Sequence, residues 1–246
     1  MLYGIISDIH GNLEAALAVK EFLQKKQVEK ILVLGDIVGY GANPEECLEL
    51  FESLKAVFIK GNHEEAILTG NYDVFTSDAR ISIEWTDKHF SQTYRKRISQ
   101  WQVVIETEDF VICHGGLVDP LYFYTNSRLK AKKIFDEFKF QYCFVGHTHF
   151  PMAFSMDEGQ RMPSVIGQDP DGSLHISLQQ NKRYIINTGS VGQPRDGNPK
   201  ACCGVYDSEN KTYHLYRLIY PFEITAKKIL QAGLPSSLAA RLSRGL

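Results

Sequence analysis

The amino-acid sequence predicts an α/β protein with two β-sheets in one domain, and three observations support this prediction. In the first half, short apolar segments at 2–6, 30–34 and 56–59 alternate with segments of helical periodicity, which is typical of a parallel sheet covered on both faces. In the second half, β-rich segments are separated by turn clusters such as DPDG and DSEN, which indicates antiparallel pairing. No internal repeat or low-complexity linker divides the chain, so we expect one domain over residues 1–246.

Strand–helix units are predicted over the first 60 residues. Asn12 can cap a helix that runs to about Lys26. Asn43, Pro44 and Glu45 stand in the order that is usual at a helix N-terminus. Because strands joined by such helices run parallel, their carboxyl ends are expected to meet at one edge of the sheet.

The rest of the chain is predicted to contain a helical segment, a second set of strands and a final helix. Residues 64–101 are expected to form a helical cap beside the sheet edge. The final helix is predicted to begin near Ile224 and to end at Gly233, with Pro235 after it. The other predicted elements are strands at 103–106, 110–113 and 142–145, a helix at 128–139, and a C-terminal half rich in β-structure.

Composition and charge exclude several classes of protein. A formal net charge of −2 gives no general attraction for phosphate backbones, so we expect no extended nucleic-acid binding. The sequence has neither a signal-peptide pattern nor an apolar run approaching ~20 residues, so we expect no membrane partner and a cytoplasmic location. The five cysteines show no CxxC spacing, which argues against a disulfide framework and a thiolate zinc site. The oligomeric state stays open.

Polar side chains that can bind metal ions follow five of the predicted strands, at the point where each strand ends. Taken singly, each has a structural alternative: Asp8 as a helix cap, Asp36 in a Gly-Asp turn, and Asn62 as a cap of the next helix. The histidines could likewise be hydrogen-bonded loop residues. Their repetition at one sheet edge favours a shared site. The set comprises Asp8, His10, Asp36, Asn62, His63, His114, His147 and His149.

The residue types in this set suit a site for two divalent cations. Two cations about 3.5–4 Å apart require a bridging carboxylate, neutral imidazoles, and open positions for water and substrate. Imidazole and carboxylate ligands without thiolate are compatible with manganese, iron, zinc, nickel or cobalt.

The sequence resembles the calcineurin-like metallophosphoesterase superfamily in five ordered motifs. A sixth segment, GSVGQPRDG (189–197), is similar to the small bacterial phosphodiesterase branch of that superfamily. The resemblance implies a four-layer α/β sandwich of two mixed sheets flanked by helices, with the site between the carboxyl ends of the strands. The five motifs are DIH (8–10), GD (35–36), GNHE (61–64), HGG (114–116) and GHTH (146–149).

The resemblance also implies a cofactor of two divalent ions, with manganese favoured, and a role for each residue. Asp36 would bridge the two ions, and His63 matches the catalytic histidine of the family. The first ion would be bound by Asp8, His10, Asp36 and His149, and the second by Asp36, Asn62, His114 and His147.

The activity predicted from these roles is hydrolysis of phosphodiester or phosphoanhydride bonds in small, nucleotide-type molecules. A metal-bound hydroxide would attack phosphorus in line, and His63 would contact a phosphoryl oxygen or protonate the leaving alcohol. Arg195 is suited to bidentate phosphate contact and is predicted to bind substrate. Its alternative is an exposed residue of a turn.

Other functions stay open as alternatives. Serine/threonine protein phosphatases of the superfamily carry an Asp-Arg-Gly run where this chain has Gly39 and Tyr40, which weakens that assignment. A phosphomonoesterase is a further alternative. A non-catalytic scaffold would not need the complete ligand set, and a nuclease would need a basic groove. Aromatic residues of the cap could line a substrate pocket or pack in the core.

Overall fold

The computed structural model describes residues 1–246 and contains twelve strands and eight helices. The strands are β1 (Leu2–Ile6), β2 (Lys30–Val33), β3 (Val57–Phe58), β4 (Val104–Glu106), β5 (Phe110–Cys113), β6 (Tyr142–Val145), β7 (Met152–Asp157), β8 (Ser164–Ile166), β9 (Leu174–Ser177), β10 (Lys182–Asn187), β11 (Ala201–Asp207) and β12 (Thr212–Leu218). The helices are α1 (Leu13–Lys25), α2 (Pro44–Ser53), α3 (Asn62–Thr69), α4 (Ser77–His89), α5 (Gln92–Ile98), α6 (Arg128–Glu137), α7 (Phe222–Gln231) and α8 (Ser236–Leu242).

The strands form two mixed six-stranded sheets. The first sheet has the order β3-β2-β1-β11-β12-β9, and the second has the order β4-β5-β6-β10-β7-β8. In the first sheet, β1, β2 and β3 are parallel to one another. In the second, β5, β6 and β10 are parallel. Each sheet therefore has a parallel block whose strands end at a common edge.

Three apolar clusters separate four layers. The cluster between the two sheets includes Ile5 of the first sheet and Phe144 of the second, both fully buried. A second cluster joins the first sheet to α1 and α2 through residues such as Val19 and Phe51. A third joins the second sheet to α6 through Ile134. The order of layers is therefore helix, sheet, sheet, helix, which confirms the predicted fold class.

The predicted strands and helices of residues 1–145 occur at their expected places with small shifts of their ends. Asn12 accepts a hydrogen bond from the backbone N–H of Ala15 at 3.1 Å and so caps α1 as predicted. Residues 64–101 contain most of α3 together with α4 and α5. None of the helices combines the length and the apolar character that crossing a membrane requires.

Two features of the C-terminal part differ from the prediction. The β-rich segments do not form a sheet of their own, because β10 pairs with β6 in the second sheet and β11 pairs with β1 in the first. Helix α8, which follows directly after Pro235, was not predicted from the sequence. This helix has only seven residues, and it is stabilised because Leu238 and Leu242 are buried against α7.

Candidate metal centre

All eight residues predicted at the strand ends come together at one edge of the two sheets. Each is buried, with at most 5% of its surface exposed. Asp8 and His10 follow β1, and Asp36 follows β2. The others reach the same place from the start of α3 and from the ends of β5 and β6. Asp8 does not cap α1, since Asn12 does, so the structural alternative for Asp8 is excluded.

The backbone at this edge adopts a conformation that residues with a Cβ atom rarely take. Five of the nine non-glycine residues with positive φ belong to the predicted set, with φ between 50° and 65°. Such conformations are held only where surrounding contacts fix them. Here the N–H groups of Asp8 and His10 donate to the carbonyls of Gly35 and Asp36 at 3.1 and 3.0 Å. The five residues are Asp8, His10, Asp36, His147 and His149.

One group of ligand atoms converges between the ends of β1 and β6. The Nδ1–H groups of His10 and His149 donate to the backbone carbonyls of Val38 and Gln193 at 2.9 and 2.7 Å. These bonds leave a lone pair on each Nε2. The two Nε2 atoms lie 3.0 Å apart, and that of His149 is 3.3 Å from Oδ1 of Asp8.

A second group converges beside the first. The Nδ1–H of His114 donates to the carbonyl of Leu34 at 2.7 Å, so its Nε2 points into the site with a lone pair. This Nε2 lies 3.0 Å from Oδ1 of Asn62 and 3.1 Å from Nδ1 of His147. Asn62 therefore joins the site and does not cap α3, whose N-cap is Gly61.

Asp36 stands between the two groups. Its Oδ2 atom is 3.7 Å from Nε2 of His10 and 3.3 Å from Nε2 of His114. Its Oδ1 atom accepts the backbone N–H of His63 at 2.9 Å. A Cβ atom on Gly61 would come within 2.1 Å of that Oδ1, so glycine is required there. The fixed Oδ1 leaves Oδ2 free to face both groups.

The donor set fits divalent cations. Two atoms that bind one ion at about 2.0–2.2 Å lie about 3.0–3.5 Å apart, which is close to the separations within each group. Oδ1 of Asp8, which faces Nε2 of His149, is buried without a hydrogen-bond partner. Lone pairs that face one another in a buried place repel unless a cation lies between them. The cluster of aspartates and histidines is therefore a binding site for divalent metal.

The histidines of the site differ in how their pKa values respond to burial and to the two aspartates. Burial lowers the pKa of His10 and His149 well below its usual range, so these rings are neutral. Burial also acts to lower the pKa of His114, but the charges of Asp36 and Asp8 outweigh it and raise the value to about 9. A proton and a metal ion thus compete for the same lone pair of His114.

His63 lies beside the two groups without belonging to either. Its Nε2 is 3.8 Å from Oδ2 of Asp36, and its Nδ1 is buried without a partner. The ring packs against Tyr40 and Phe75 at centroid distances of 4.9 and 5.1 Å. Gly39, at φ 83°, makes room for it, because a Cβ there would lie 2.1 Å from Nδ1 of His63.

Glu64 is a residue whose role the sequence did not reveal. Its buried carboxylate accepts backbone N–H groups of Gly61, Asp36 and Ile37 at 2.8 Å each, and of Val38 at 3.2 Å. Burial and the charge of Asp36 raise its pKa to about 7. Glu64 therefore ties the loop after β2 to the first turn of α3, and these two segments carry Asp36, Asn62 and His63.

A cavity of about 360 Å³ opens above these residues. Arg195 lies on its wall, half-buried, so it is not an exposed turn residue. Its guanidinium packs over the ring of Tyr40 at 5.6 Å and donates to the Tyr40 hydroxyl at 3.2 Å. The loop before β11 thus places an arginine beside Tyr40. Tyr40 stands where the Asp-Arg-Gly run of the protein phosphatases has its arginine.

The five sequence motifs and the arrangement of their side chains agree with a comparison against protein families. Residues 1–151 match the profile of the calcineurin-like phosphoesterases. The chain belongs to this family. As a calcineurin-like phosphoesterase it is a hydrolase that acts on phosphoester bonds.

Full-length relatives support this membership. Protein MJ0912 of Methanocaldococcus jannaschii is 34% identical over 253 residues, which cover 99% of this chain and 98% of that protein. The crystal structure of a metallophosphoesterase from Sphaerobacter thermophilus shares 32% identity and superposes with a TM-score of 0.86 over 100% of this chain and 99% of the other. Protein PH1004 from Pyrococcus horikoshii OT3, at 16% identity and a TM-score of 0.82, shares the fold over 100% of this chain and 98% of its own.

Proposed function

We propose that this calcineurin-like phosphoesterase hydrolyses phosphodiester or phosphoanhydride bonds of small, nucleotide-type molecules with two bound divalent ions, of which manganese is favoured. The observation that carries the proposal is the pair of converging lone-pair groups that face the single atom Oδ2 of Asp36. One oxygen between two such groups is the arrangement that a bridging carboxylate needs.

The ligand roles in this proposal follow the two groups. Bound ions would lower the pKa of water to near neutrality and would neutralise charge on phosphoryl oxygens. Asp36 would bridge the two positions. The first position would be held by Asp8, His10 and His149, and the second by Asn62, His114 and His147.

His63 and Arg195 supply the remaining parts of the proposal. His63 lines the cavity, and its Nε2 lies 3.8 Å from Oδ2 of Asp36, so it can donate a proton to the leaving oxygen or a hydrogen bond to a phosphoryl oxygen. Arg195 also lines the cavity and would bind phosphate of the substrate through its guanidinium. The cavity is lined by two arginines and no lysine, so it is not a long basic groove, which favours a small substrate over a nucleic acid.

A direct test uses two nitrophenyl substrates. The protein is stripped with a chelator, reloaded with Mn²⁺, and assayed for nitrophenol release from bis(p-nitrophenyl) phosphate and from p-nitrophenyl phosphate. The proposal predicts turnover only after reloading, with the diester preferred. A preference for the monoester would instead support a phosphomonoesterase. Absence of turnover of both substrates, with metal bound, would contradict hydrolysis of phosphodiesters and would favour the non-catalytic scaffold.

A further inference from the structure

A pair of arginines on one side of the cavity has no carboxylate partner. Nη2 of Arg195 donates to the side-chain amide oxygen of Gln193 at 2.9 Å, and Nη1 of Arg241 donates to the same oxygen at 3.2 Å. The two guanidinium groups have one other side-chain acceptor, the Tyr40 hydroxyl, which accepts from Arg195. The Nε of Arg195 is buried and unpartnered. Two adjacent positive charges thus share one neutral acceptor, which leaves a strong attraction for an anion.

The two arginines are held in place by different parts of the fold. The backbone N–H of Arg195 donates to the carbonyl of His149 at 3.2 Å, so this arginine is attached directly to the metal centre. Arg241 comes from α8, whose Leu238 and Leu242 are buried in the apolar cluster that includes Tyr40. The packing of α8 therefore fixes the backbone of Arg241, although this residue lies near the end of the chain.

Arg195 and Arg241 differ in how they are connected to the metal centre. Arg195 is hydrogen-bonded to His149, a residue of the metal centre. Arg241 has no such bond and is connected to Arg195 only through the side chain of Gln193. Both line the same cavity as Asp36 and His63. Positive charge thus extends outward from the metal centre, beyond what one phosphate on the metals requires.

We propose that Arg195 and Arg241 form a subsite for a second phosphate group of the substrate, linked to the phosphate that lies at the metal centre. This inference rests on the proposed function and narrows its substrate class to compounds with adjacent phosphates, that is, phosphoanhydrides of the nucleoside diphosphate and polyphosphate type. The half-exposed rings of Tyr122 and Tyr124, which also line the cavity, offer an apolar surface to the rest of such a molecule.

Calorimetry with two ligands that differ in one phosphate tests the subsite. Protein in excess Mn²⁺ is titrated with AMP and with the non-hydrolysable α,β-methylene analogue of ADP. We expect the wild-type protein to bind the ADP analogue about tenfold or more tightly than AMP, because a second charged group gains arginine contacts. The variant Arg241→Gln should reduce this ratio to about threefold or less, and Arg241→Lys should lie between the two.

Arg244→Gln is the matched control, because Arg244 is an exposed arginine three residues away. It should keep the wild-type ratio. Equal affinity of the wild-type protein for AMP and the ADP analogue would overturn the subsite, as would a ratio that Arg241→Gln leaves unchanged in a folded variant. Because binding is measured separately from turnover, an arginine-dependent ratio in a protein that hydrolyses neither a diester nor a phosphoanhydride would retain the subsite and reject the proposed function.

Discussion

The inner and outer walls of the cavity are built by different means. Asp36, His63 and His149 of the inner wall are at most 3% exposed, and backbone hydrogen bonds fix their positions. The outer wall comes from the segment after α3, from the loop after β5 and from α8. There, Val74 is 65% exposed and Tyr124 is 44% exposed.

This difference separates the chemistry of the site from the choice of substrate. A side chain held by backbone bonds and burial keeps its geometry whatever enters the cavity, as metal ligation requires. A half-exposed side chain on a helix or loop can be exchanged without disturbing the strands behind it. Changes to the inner wall should therefore lower metal affinity or turnover, whereas changes to the outer wall should lower substrate affinity.

The largest effect is expected from Asp36→Asn, because Oδ2 of Asp36 faces both groups of ligand atoms in the inner wall. Mutation of a residue that only supports a metal ligand lowers activity roughly 10–100-fold. Loss of the charge on Oδ2 of Asp36 should lower kcat by more than this. Metal content and diester turnover are measured together. Asp73→Asn, at an exposed position, is the control. Retention of full activity and metal by Asp36→Asn would show that Asp36 does not bridge.

His63→Ala should separate turnover from metal binding within the inner wall. Because His63 belongs to neither ligand group, the variant should keep its metal while kcat falls about 10²–10⁴-fold, the range for loss of a general acid. His89→Ala, at an exposed histidine of α4, should match the wild-type protein. Loss of metal together with activity would make His63 a ligand or a structural residue.

Glu64→Gln removes backbone hydrogen bonds behind the inner wall and leaves every proposed ligand side chain unchanged. The amide can accept on one side only, so two of the four backbone N–H groups lose their acceptor. Each buried group left unpaired costs about 1–3 kcal/mol, and metal affinity should fall about 10–100-fold. Thermal unfolding and metal titration measure both effects.

Glu65→Gln provides the neighbouring control, since Glu65 is half-buried and pairs only with Lys60. It should unfold at nearly the wild-type temperature. If Glu64→Gln were equally stable and bound metal equally well, the carboxylate would not hold the loop after β2.

The smallest effect is expected from Tyr124→Ala, on the outer wall. The ring lies 4.2 Å from that of His147 and is partly open to the cavity. Its loss should raise KM for a nucleotide substrate by several-fold, in line with about 0.5–1.5 kcal/mol for one aromatic contact, with little change in metal content. Tyr94→Ala, outside the cavity, is the control. A fall in kcat without a change in KM would place Tyr124 in the inner wall.

The same division explains how much could be predicted from the sequence. Asp8, Asp36 and His114 could be predicted because each directly follows an apolar strand, and parallel strands end at one edge. The role of Glu64 could not, because its four bonds depend on how the loop after β2 meets α3. Arg241 was missed for a related reason: α8 is too short to be recognised by periodicity, and only its packing on α7 brings Arg241 to the cavity.

We propose that the strand ends hold two divalent ions that share Asp36. The most direct measurement is the metal content of the protein after loading with Mn²⁺ and removal of free metal, determined by mass spectrometry of the elements. We predict about two ions per chain, with both sites weakened in Asp36→Asn. One ion or none per chain in the folded wild-type protein would contradict the dinuclear centre.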